Sequence, residues 1–476
     1  MRNGTIQRIA AMAVLLVTAA AVQAADCVSK TQSIATRGFQ PNRVAGPIAW
    51  SGNVLAVAKT ETGPSKALYV GLYNNQLDQV SSDLRIADAS LAGPITILWT
   101  GHEFGVFYQS PDQRIRLQLV SEAGNPLGGA VVITPNHGFF NDDEFEVVWD
   151  PTRQAYAMVR VLTQSGDKGL WLILLERDGR TRADRRIELF PGKPAQPRIA
   201  VTNHGVIGIF YTHAITGSLT MVRITPDDAL QPSTPVASTA GRAIDVYSLN
   251  NLFGIVRRLD IPANRTEIRW LVVDEAGATI TSDRQLVVSR GADVAPVALG
   301  GHDDEWALSF TDSPLGFDLD SGDLRLLRFT TSGGVIDNTI FATDAFYSFL
   351  AGTDPFVWTG ASYVSSAELF INPTEGSDSY LLSHCPLQAT VDRSLPVVRL
   401  YQPVTFTSTV QGGSGPFRYD WDFGDRSFGV GAPISHTYQH PGTYTAILTV
   451  TDAAGGRSIT AINVQVTLPK PRAVRH

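Results

Sequence analysis

Most of this chain consists of short runs in which apolar and polar residues alternate. Gly, Pro, Asn and Asp separate these runs. Successive side chains of a β-strand point to opposite faces, so this alternation predicts half-buried strands. A helical period of 3.6 residues is almost absent beyond an apolar segment near the N-terminus. The pattern therefore predicts an all-β protein.

One unit recurs along the chain, and it consists of an apolar strand, a tight polar turn and a second alternating strand. Further strands follow in most units, as in residues 170–180 and 184–190. Four strands in about 50 residues, repeated, are typical of the blades of a β-propeller. Seven units predict a seven-bladed propeller over residues 25–385, with first strands that end at Trp50, Trp99, Trp149, Val201, Ser248, Leu299 and Trp358.

The seventh unit stops after its third strand, at Cys385. Residues 28–37 have the pattern of the missing fourth strand, so we expect the N-terminal strand to close the ring. Cys27 directly precedes this strand, and Cys385 ends the strand with which it would pair. The arrangement predicts a Cys27–Cys385 disulfide in an oxidising compartment, and two free buried thiols are the alternative.

The first 24 residues have the features of a secretory signal peptide. Arg2 and Arg8 precede an apolar run over residues 9–21, and small residues near Ala24 predict cleavage after it. Asp26 before Cys27 disfavours a lipid anchor. No later stretch reaches the roughly 18 apolar residues of a membrane span. We expect a secreted, periplasmic or cell-surface protein without an integral membrane segment after cleavage.

A second domain follows residues 386–398, a segment with two prolines that we interpret as a linker. Over residues 390–468, four motifs occur in order: WDFGD at 421–425, HTY at 436–438, PGTY at 441–444 and LTVTD at 448–452. Their combination closely resembles the polycystic-kidney-disease (PKD) repeat, an immunoglobulin-like β-sandwich. Arg426 departs from the glycine that is usual there. The resemblance implies an extracellular spacer or adhesion module, sometimes attached to polysaccharide- or protein-degrading enzymes. We interpret residues 469–476, which follow this domain, as a tail.

The charge and cysteine content of the chain exclude some classes of partner and of metal site. The 476 residues carry 45 acidic and 38 basic side chains, for a net charge of −7, and show no basic stripe, which argues against nucleic acid. Two cysteines exclude a disulfide-dense scaffold and a CxxC-type zinc site. We expect a monomer whose partner is an extracellular polysaccharide or protein.

Candidate ligand residues come from the propeller topology. Connections from the second to the third strand, and from the fourth strand to the next unit, emerge on one face. The long connections predicted at 136–146, 258–266, 311–323 and 370–378 belong to this face, and binding residues concentrate in such loops. The candidate ligand-binding residues are Phe139, Asp142, Asp260, Arg265, Asp318 and Asp320.

A calcium site is a weaker hypothesis. Asp318, Asp320 and Asp323 have the close alternate spacing of calcium ligands, but their order departs from the calcium loop and no bidentate Glu follows. A solvated acidic loop is the alternative, and no other cofactor is expected. His102 and Glu103 begin a zinc-protease motif that lacks its second His, because Val106 stands there.

These features favour a secreted, non-enzymatic binding or adhesion protein, in which a propeller face presents a carbohydrate or protein site and the PKD module is a spacer or second contact. We assign no catalytic residue. A secreted glycoside hydrolase, lyase or peptidase with an accessory PKD domain is the alternative, and a structural envelope component is the third class.

Overall fold

A computed structural model describes most of the chain. The described residues are 30–35, 42–62, 67–88, 94–112, 114–133, 145–162, 169–188, 195–213, 215–262, 265–289, 293–313, 322–342, 345–346, 356–372, 376–413, 415–453 and 456–468. Within them the chain forms strands and turns and no helix, which confirms the all-β prediction. The predicted signal peptide (1–24), Cys27 and the tail (469–476) lie outside these ranges.

Six antiparallel sheets follow one another along the chain, each with four strands in chain order. Sheet 1 has β2 (Asn42–Trp50), β3 (Leu55–Thr62), β4 (Ala67–Tyr73) and β5 (Leu84–Asp88). Sheet 2 has β6 (Ile95–Trp99), β7 (Phe104–Gln109), β8 (Ile115–Val120) and β9 (Val131–Val132). Sheet 3 has β10 (Phe145–Asp150), β11 (Ala155–Leu162), β12 (Gly169–Glu176) and β13 (Thr181–Glu188).

Sheet 4 has β14 (Ala195–Val201), β15 (Ile207–Thr212), β16 (Leu219–Ile224) and β17 (Thr234–Ala237). Sheet 5 has β18 (Arg242–Leu249), β19 (Leu252–Ile261), β20 (Arg265–Asp274) and β21 (Thr279–Val288). Sheet 6 has β22 (Asp293–His302), β23 (Glu305–Ser313), β24 (Asp323–Thr330) and β25 (Val335–Ala342).

Sheet 7 joins the two ends of this region. It contains β26 (Ala345–Phe346), β27 (Phe356–Trp358), β28 (Tyr363–Asn372), β29 (Gly376–His384) and the first strand of the described chain, β1 (Lys30–Ala35). β1 pairs antiparallel with β29, with Lys30 opposite Ser383. The strand that completes the last sheet therefore comes from the N-terminal part of the chain.

The first strands of the sheets surround a common axis. Each packs against the first strand of the next sheet, from β2 to β22, and β27 packs against both β22 and β2. This closed ring of inner strands is the arrangement of a β-propeller, and the described residues contribute seven sheets to it. The turns that join the first and second strands of each sheet, such as the β2–β3 turn, lie on one face of the ring, which we call the turn face. We call the opposite face, where the inner strands begin, the loop face.

The hydrophobic core lies between adjacent sheets. Residues of sheets 3 and 4, such as Val159 and Ile209, share one buried cluster, and residues of sheets 4 and 5, such as Phe210 and Phe253, share the next. Because most strands bury both faces against neighbours, few of their positions can be charged. This packing explains why only 17% of the residues are charged.

The C-terminal domain is a sandwich of two sheets. One sheet has the order β30 (Gln388–Arg393), β32 (Pro403–Gln411), β35 (Ile434–Thr437). The other has the order β31 (Val397–Arg399), β37 (Arg457–Thr467), β36 (Gly442–Thr451), β33 (Arg418–Asp422), β34 (Phe428–Val430). Trp421, Phe423 and Tyr438 are buried between them.

Residues 386–398 differ from the predicted linker. β30 pairs with β32 and β31 pairs with β37, so most of this segment belongs to the C-terminal sheets. Leu387 is already part of the C-terminal core. The alternating sequence of β30 forms an ordinary strand, and the prolines at 386 and 396 lie just outside the two strands.

Polar residues of the sequence motifs form hydrogen bonds that stabilise the turns of this domain. Asp422 accepts a hydrogen bond from the backbone N–H of Gly424 at 2.9 Å, and His436 Nε2 lies 2.8 Å from Asp425 Oδ2. Burial raises the pKa of Asp425, but hydrogen bonds from Ser427 and His436 outweigh it and hold that pKa below its ordinary value. Arg426 has φ of 72°, a left-handed conformation that favours glycine.

Candidate functional site

Three charged side chains from consecutive inner strands meet near the loop face. Glu146 is on β10, Arg198 on β14 and Asp245 on β18. Arg198 Nη1 lies 3.9 Å from Glu146 Oε2, and Arg198 Nε lies 4.0 Å from Asp245 Oδ1. We call these three residues the channel cluster, because their strands line the central axis.

Backbone groups of neighbouring strands hold the channel cluster in place. The N–H of Ile199 donates to Glu146 at 3.2 Å, and the N–H of Leu299 donates to Asp245 at 2.6 Å. Arg198 Nε donates to the carbonyl of Ile244 at 2.7 Å. Each side chain is thus fixed by a strand of the adjacent sheet, so the geometry of the cluster is set by the ring itself.

A second polar group, the hairpin cluster, lies at the β19–β20 connection on the loop face. Arg258 Nη2 lies 2.9 Å from Asp293 Oδ1, and Thr266 Oγ1 donates to the same oxygen at 2.7 Å. Arg242 Nη2 lies 3.4 Å from Asp260 Oδ2. Oppositely charged groups therefore alternate from the start of β18 across to the start of β22.

The structure places two of the predicted ligand residues in or beside this cluster. Asp260 is exposed and pairs with Arg242. Arg265 begins β20 and donates a hydrogen bond to the carbonyl of Ser289. Both belong to strands, because β19 and β20 extend to Ile261 and Arg265 and leave a shorter connection than predicted. Phe139, Asp142, Asp318 and Asp320 lie outside the described residues.

The predicted calcium ligand Asp323 begins β24, opposite Asp312 on β23. Its Oδ2 lies 3.5 Å from Arg325 Nη1, so a guanidinium also lies beside this carboxylate. The described residues include no group of three or more His, Cys, Asp or Glu side chains placed to hold a metal ion. The other two proposed ligands, Asp318 and Asp320, are not among them. Calcium binding stays a prediction.

Sequence reasoning did not single out the channel cluster, although the repeat contains its signal. Glu146, Arg198 and Asp245 each stand three residues before the end of the aligned first strand, at Trp149, Val201 and Ser248. The corresponding positions of the other units are Pro47, Thr96, Pro296 and Pro355. Charge at this position is confined to three consecutive units, which an alignment of the repeats could have shown.

The turn-face histidines have structural contacts. His204 Nδ1 lies 3.2 Å from Glu275 Oε2, and Asn251 Nδ2 lies 3.2 Å from His204 Nε2. His302 stacks on Trp358 with ring centroids 3.9 Å apart. These contacts join neighbouring sheets. In the part of the chain described here, no helix is long and apolar enough to span a bilayer.

Three solved structures resemble this chain at low sequence identity. A lectin from Burkholderia pseudomallei is 12% identical, with TM-score 0.47, over 77% of this chain and 98% of the lectin. The propeller domain of a protease from Pyrococcus furiosus is 8% identical, with TM-score 0.43, over 71% of this chain and 95% of that domain. An extracellular domain of a two-component system from B. thetaiotaomicron is 8% identical, with TM-score 0.39; the alignment covers 92% of this chain but only 57% of that domain.

Because these similarities are weak, the propeller assignment depends on the sheet topology alone. No curated protein matches the sequence. The C-terminal part has a clearer relationship. Residues 396–467 match the sequence profile of the PKD domain family. That span runs from β31 to β37 and includes the WDFGD, HTY, PGTY and LTVTD motifs. The propeller of this all-β chain is therefore followed by a PKD domain.

Proposed function

We propose that this protein is exported and binds an extracellular polysaccharide or protein through the loop face of its propeller. In this proposal the PKD domain is a spacer or a second contact. The observation that carries it is the channel cluster, in which backbone groups of three sheets hold two carboxylates and one guanidinium in fixed positions. Polar groups fixed in advance on a rigid scaffold cost little to order when a ligand binds.

The hairpin cluster supports the same face. Asp260 and Arg242 are both exposed, and their pairing extends the polar surface outward from the axis. Exposed ion pairs contribute little to stability, so their charges remain available to a partner. The loop face thus offers donors and acceptors over several adjacent sheets.

The test is a binding screen of the full chain against polysaccharides and extracellular proteins, followed by variants. Glu146→Gln and Asp245→Asn keep the volume of the channel cluster and remove its negative charges. We expect each to weaken binding of the selected ligand about tenfold. Arg180→Ala, on the turn face, is the matched control and should bind as the unchanged chain does. Equal binding by all four proteins would contradict the proposal.

A glycosidase is the second candidate function. Such enzymes need two carboxyl groups roughly 5–10 Å apart, and both Glu146 and Asp245 lie within 4.0 Å of a nitrogen of Arg198. However, each carboxylate accepts a backbone hydrogen bond and lies beside Arg198, whereas the acid of a glycosidase must donate a proton to the leaving oxygen. Release of reducing sugar that Glu146→Gln abolishes would establish hydrolysis over binding.

A further inference from the structure

An aromatic ring lies beside the channel cluster. Tyr247 is on β18, two residues after Asp245, so the two side chains share one face of the strand. Tyr247 is 37% exposed, unlike most aromatic side chains of the propeller. Its ring meets Trp306 of sheet 6 edge-on, with centroids 6.5 Å apart. One edge is therefore held by sheet 6 while much of the ring remains accessible.

Tyr247 lies on the inner wall of the ring. It belongs to β18, the inner strand of sheet 5, and β18 packs against β22, the inner strand of sheet 6. The contact of its ring with Trp306 therefore joins two neighbouring sheets along this wall.

Charge and hydrogen-bonding capacity restrict what can bind beside this ring. The channel cluster has two carboxylates and one guanidinium, a net charge of −1, which disfavours an anionic ligand. Arg198 uses Nε for the carbonyl of Ile244 and Nη1 for that of Pro197. None of the described residues accepts a hydrogen bond from its Nη2. A ligand here meets the partly exposed carboxylate of Asp245 and the Nη2 donor of Arg198, and the carboxylate of Glu146 beside them is almost completely buried.

We infer that the channel cluster and Tyr247 bind a neutral saccharide residue; this inference rests on the proposed function and names its ligand class. A sugar hydroxyl both donates and accepts, so hydroxyls suit the carboxylates and Arg198 Nη2 together. The apolar C–H face of a pyranose packs against the ring of Tyr247. Residues two apart in a strand are separated by about 7 Å, close to the size of one sugar ring.

Other ligand classes fit the site less well. A uronate or sulfate group would approach Glu146 and Asp245 as a like charge. A lysine side chain would be attracted by the net charge, but it has no acceptor for Arg198 Nη2 and would meet that guanidinium as a like charge. A ligand without net charge and with many hydroxyls can use all three groups of the cluster and also pack a C–H face on Tyr247.

The experiment titrates the full chain with neutral hexasaccharides of glucose, galactose, mannose and N-acetylglucosamine. Oligogalacturonate, heparin and an oligolysine peptide are the charged probes. We expect at least one neutral hexasaccharide to bind, and Tyr247→Ala and Arg198→Met to weaken it about tenfold or more. Tyr247→Phe keeps the ring and should bind within about threefold of the unchanged chain.

Ile215→Ala is the matched control, because Ile215 is exposed on the β15–β16 connection of the same face and lies outside both clusters. Thermal melts establish that each variant is folded. Absence of binding by every neutral saccharide overturns the inference. Binding of a charged probe that Glu146→Gln and Asp245→Asn weaken would overturn the ligand class and leave the proposed function in place. Neutral binding that no channel variant changes would overturn both.

Discussion

Glycines and aromatic rings fit together between adjacent sheets. In three sheets the second strand has a glycine near its start, and an aromatic side chain of the following sheet occupies the space above it. A Cβ atom added to Gly105 would lie 2.3 Å from Tyr156 Oη, one on Gly208 2.8 Å from Phe253 Cζ, and one on Gly254 2.3 Å from Trp306 Cζ3. A glycine inside a strand often marks such a close approach. The missing side chain lets neighbouring sheets pack close to the axis.

Gly254→Ala tests this packing. Its Cβ would lie 2.3 Å from Trp306 and 2.4 Å from Trp270, and both rings are buried and cannot easily move. We expect the substitution to lower the free energy of unfolding by about 1–3 kcal/mol, as other overpacked cores show. Gly129→Ala is the control, because an added Cβ there meets no atom within 4 Å. Denaturant unfolding should separate the two variants, and equal midpoints would contradict the packing argument.

The elements are joined on the turn face by polar contacts that repeat from sheet to sheet. Ser51 donates to Glu122 at 2.5 Å between sheets 1 and 2, and Arg177 Nε lies 2.8 Å from Glu103 Oε1 between sheets 2 and 3. Arg153 Nε lies 2.8 Å from Asp228 Oδ1 between sheets 3 and 4. In each pair, a turn after a first strand contacts a turn after the third strand of the next sheet. These turns therefore hold neighbouring sheets in register.

Arg153→Ala should be the most damaging change among these turns. The Arg153 side chain is only 4% exposed and also pairs with Asp150, which is fully buried. Removing it leaves a buried carboxylate without its counter-ion, a change that typically costs about 3–5 kcal/mol. Arg180→Ala breaks an ion pair whose two side chains are both more than half exposed, and should cost at most about 1 kcal/mol. Similar melting temperatures for the two variants would refute this ranking.

The repeat pattern predicted the strands of the propeller but not all of their limits. Residues 258–266 contain Asp, Pro, Asn and Arg, which favour a loop interpretation, yet β19 and β20 pair through Asp260 and Thr266. Ion pairs with Arg242 and Arg258 compensate the charge of Asp260 on that strand. Local residue preference cannot reveal such partners, because Arg242 comes from another strand. The channel cluster was missed for the same reason, since its three members meet only when the sheets form a ring.

At the scale of the whole molecule, the propeller and the PKD domain meet without a free linker. His384 ends β29, Cys385 is buried, and Gly413 of the C-terminal domain donates a backbone hydrogen bond to the Cys385 carbonyl at 3.1 Å. His384 Nε2 lies 3.8 Å from Asp337 Oδ2 of sheet 6. The last propeller strand thus continues directly into the core of the second domain.

Acid should weaken this junction through His384. Burial lowers the pKa of His384; Asp337 opposes this shift, Arg328 adds to it, and Asp452 of the PKD domain opposes it. An imidazole in an unfolded chain titrates near pH 6.5, so between that value and the lower folded pKa the unfolded chain binds more protons. The contribution of His384 to the free energy of unfolding is therefore fully present above about pH 6.5. It is lost as the pH falls through the pKa of His384 in the folded protein.

His384→Gln should flatten the decline of the melting temperature between about pH 7.5 and pH 5. Glutamine is neutral at every pH in this window, so the proton uptake on unfolding is lost. His102→Gln is the control, because His102 is exposed on the turn face. A pH profile of His384→Gln that parallels the profile of the unchanged chain would show that other groups govern the acid response.

Closure of the ring leads to the last prediction, the Cys27–Cys385 disulfide. β1 pairs with β29 so that Lys30 faces Ser383, two residues before Cys385, and Cys27 precedes Lys30 by three residues in the sequence. A crosslink over a loop of about 360 residues restricts the unfolded chain and should add up to roughly 5 kcal/mol of stability. We expect Cys27→Ser and added reductant each to lower the melting temperature, and reductant to have no further effect on the variant. Two titratable thiols in the unfolded, unreduced chain would contradict the pairing.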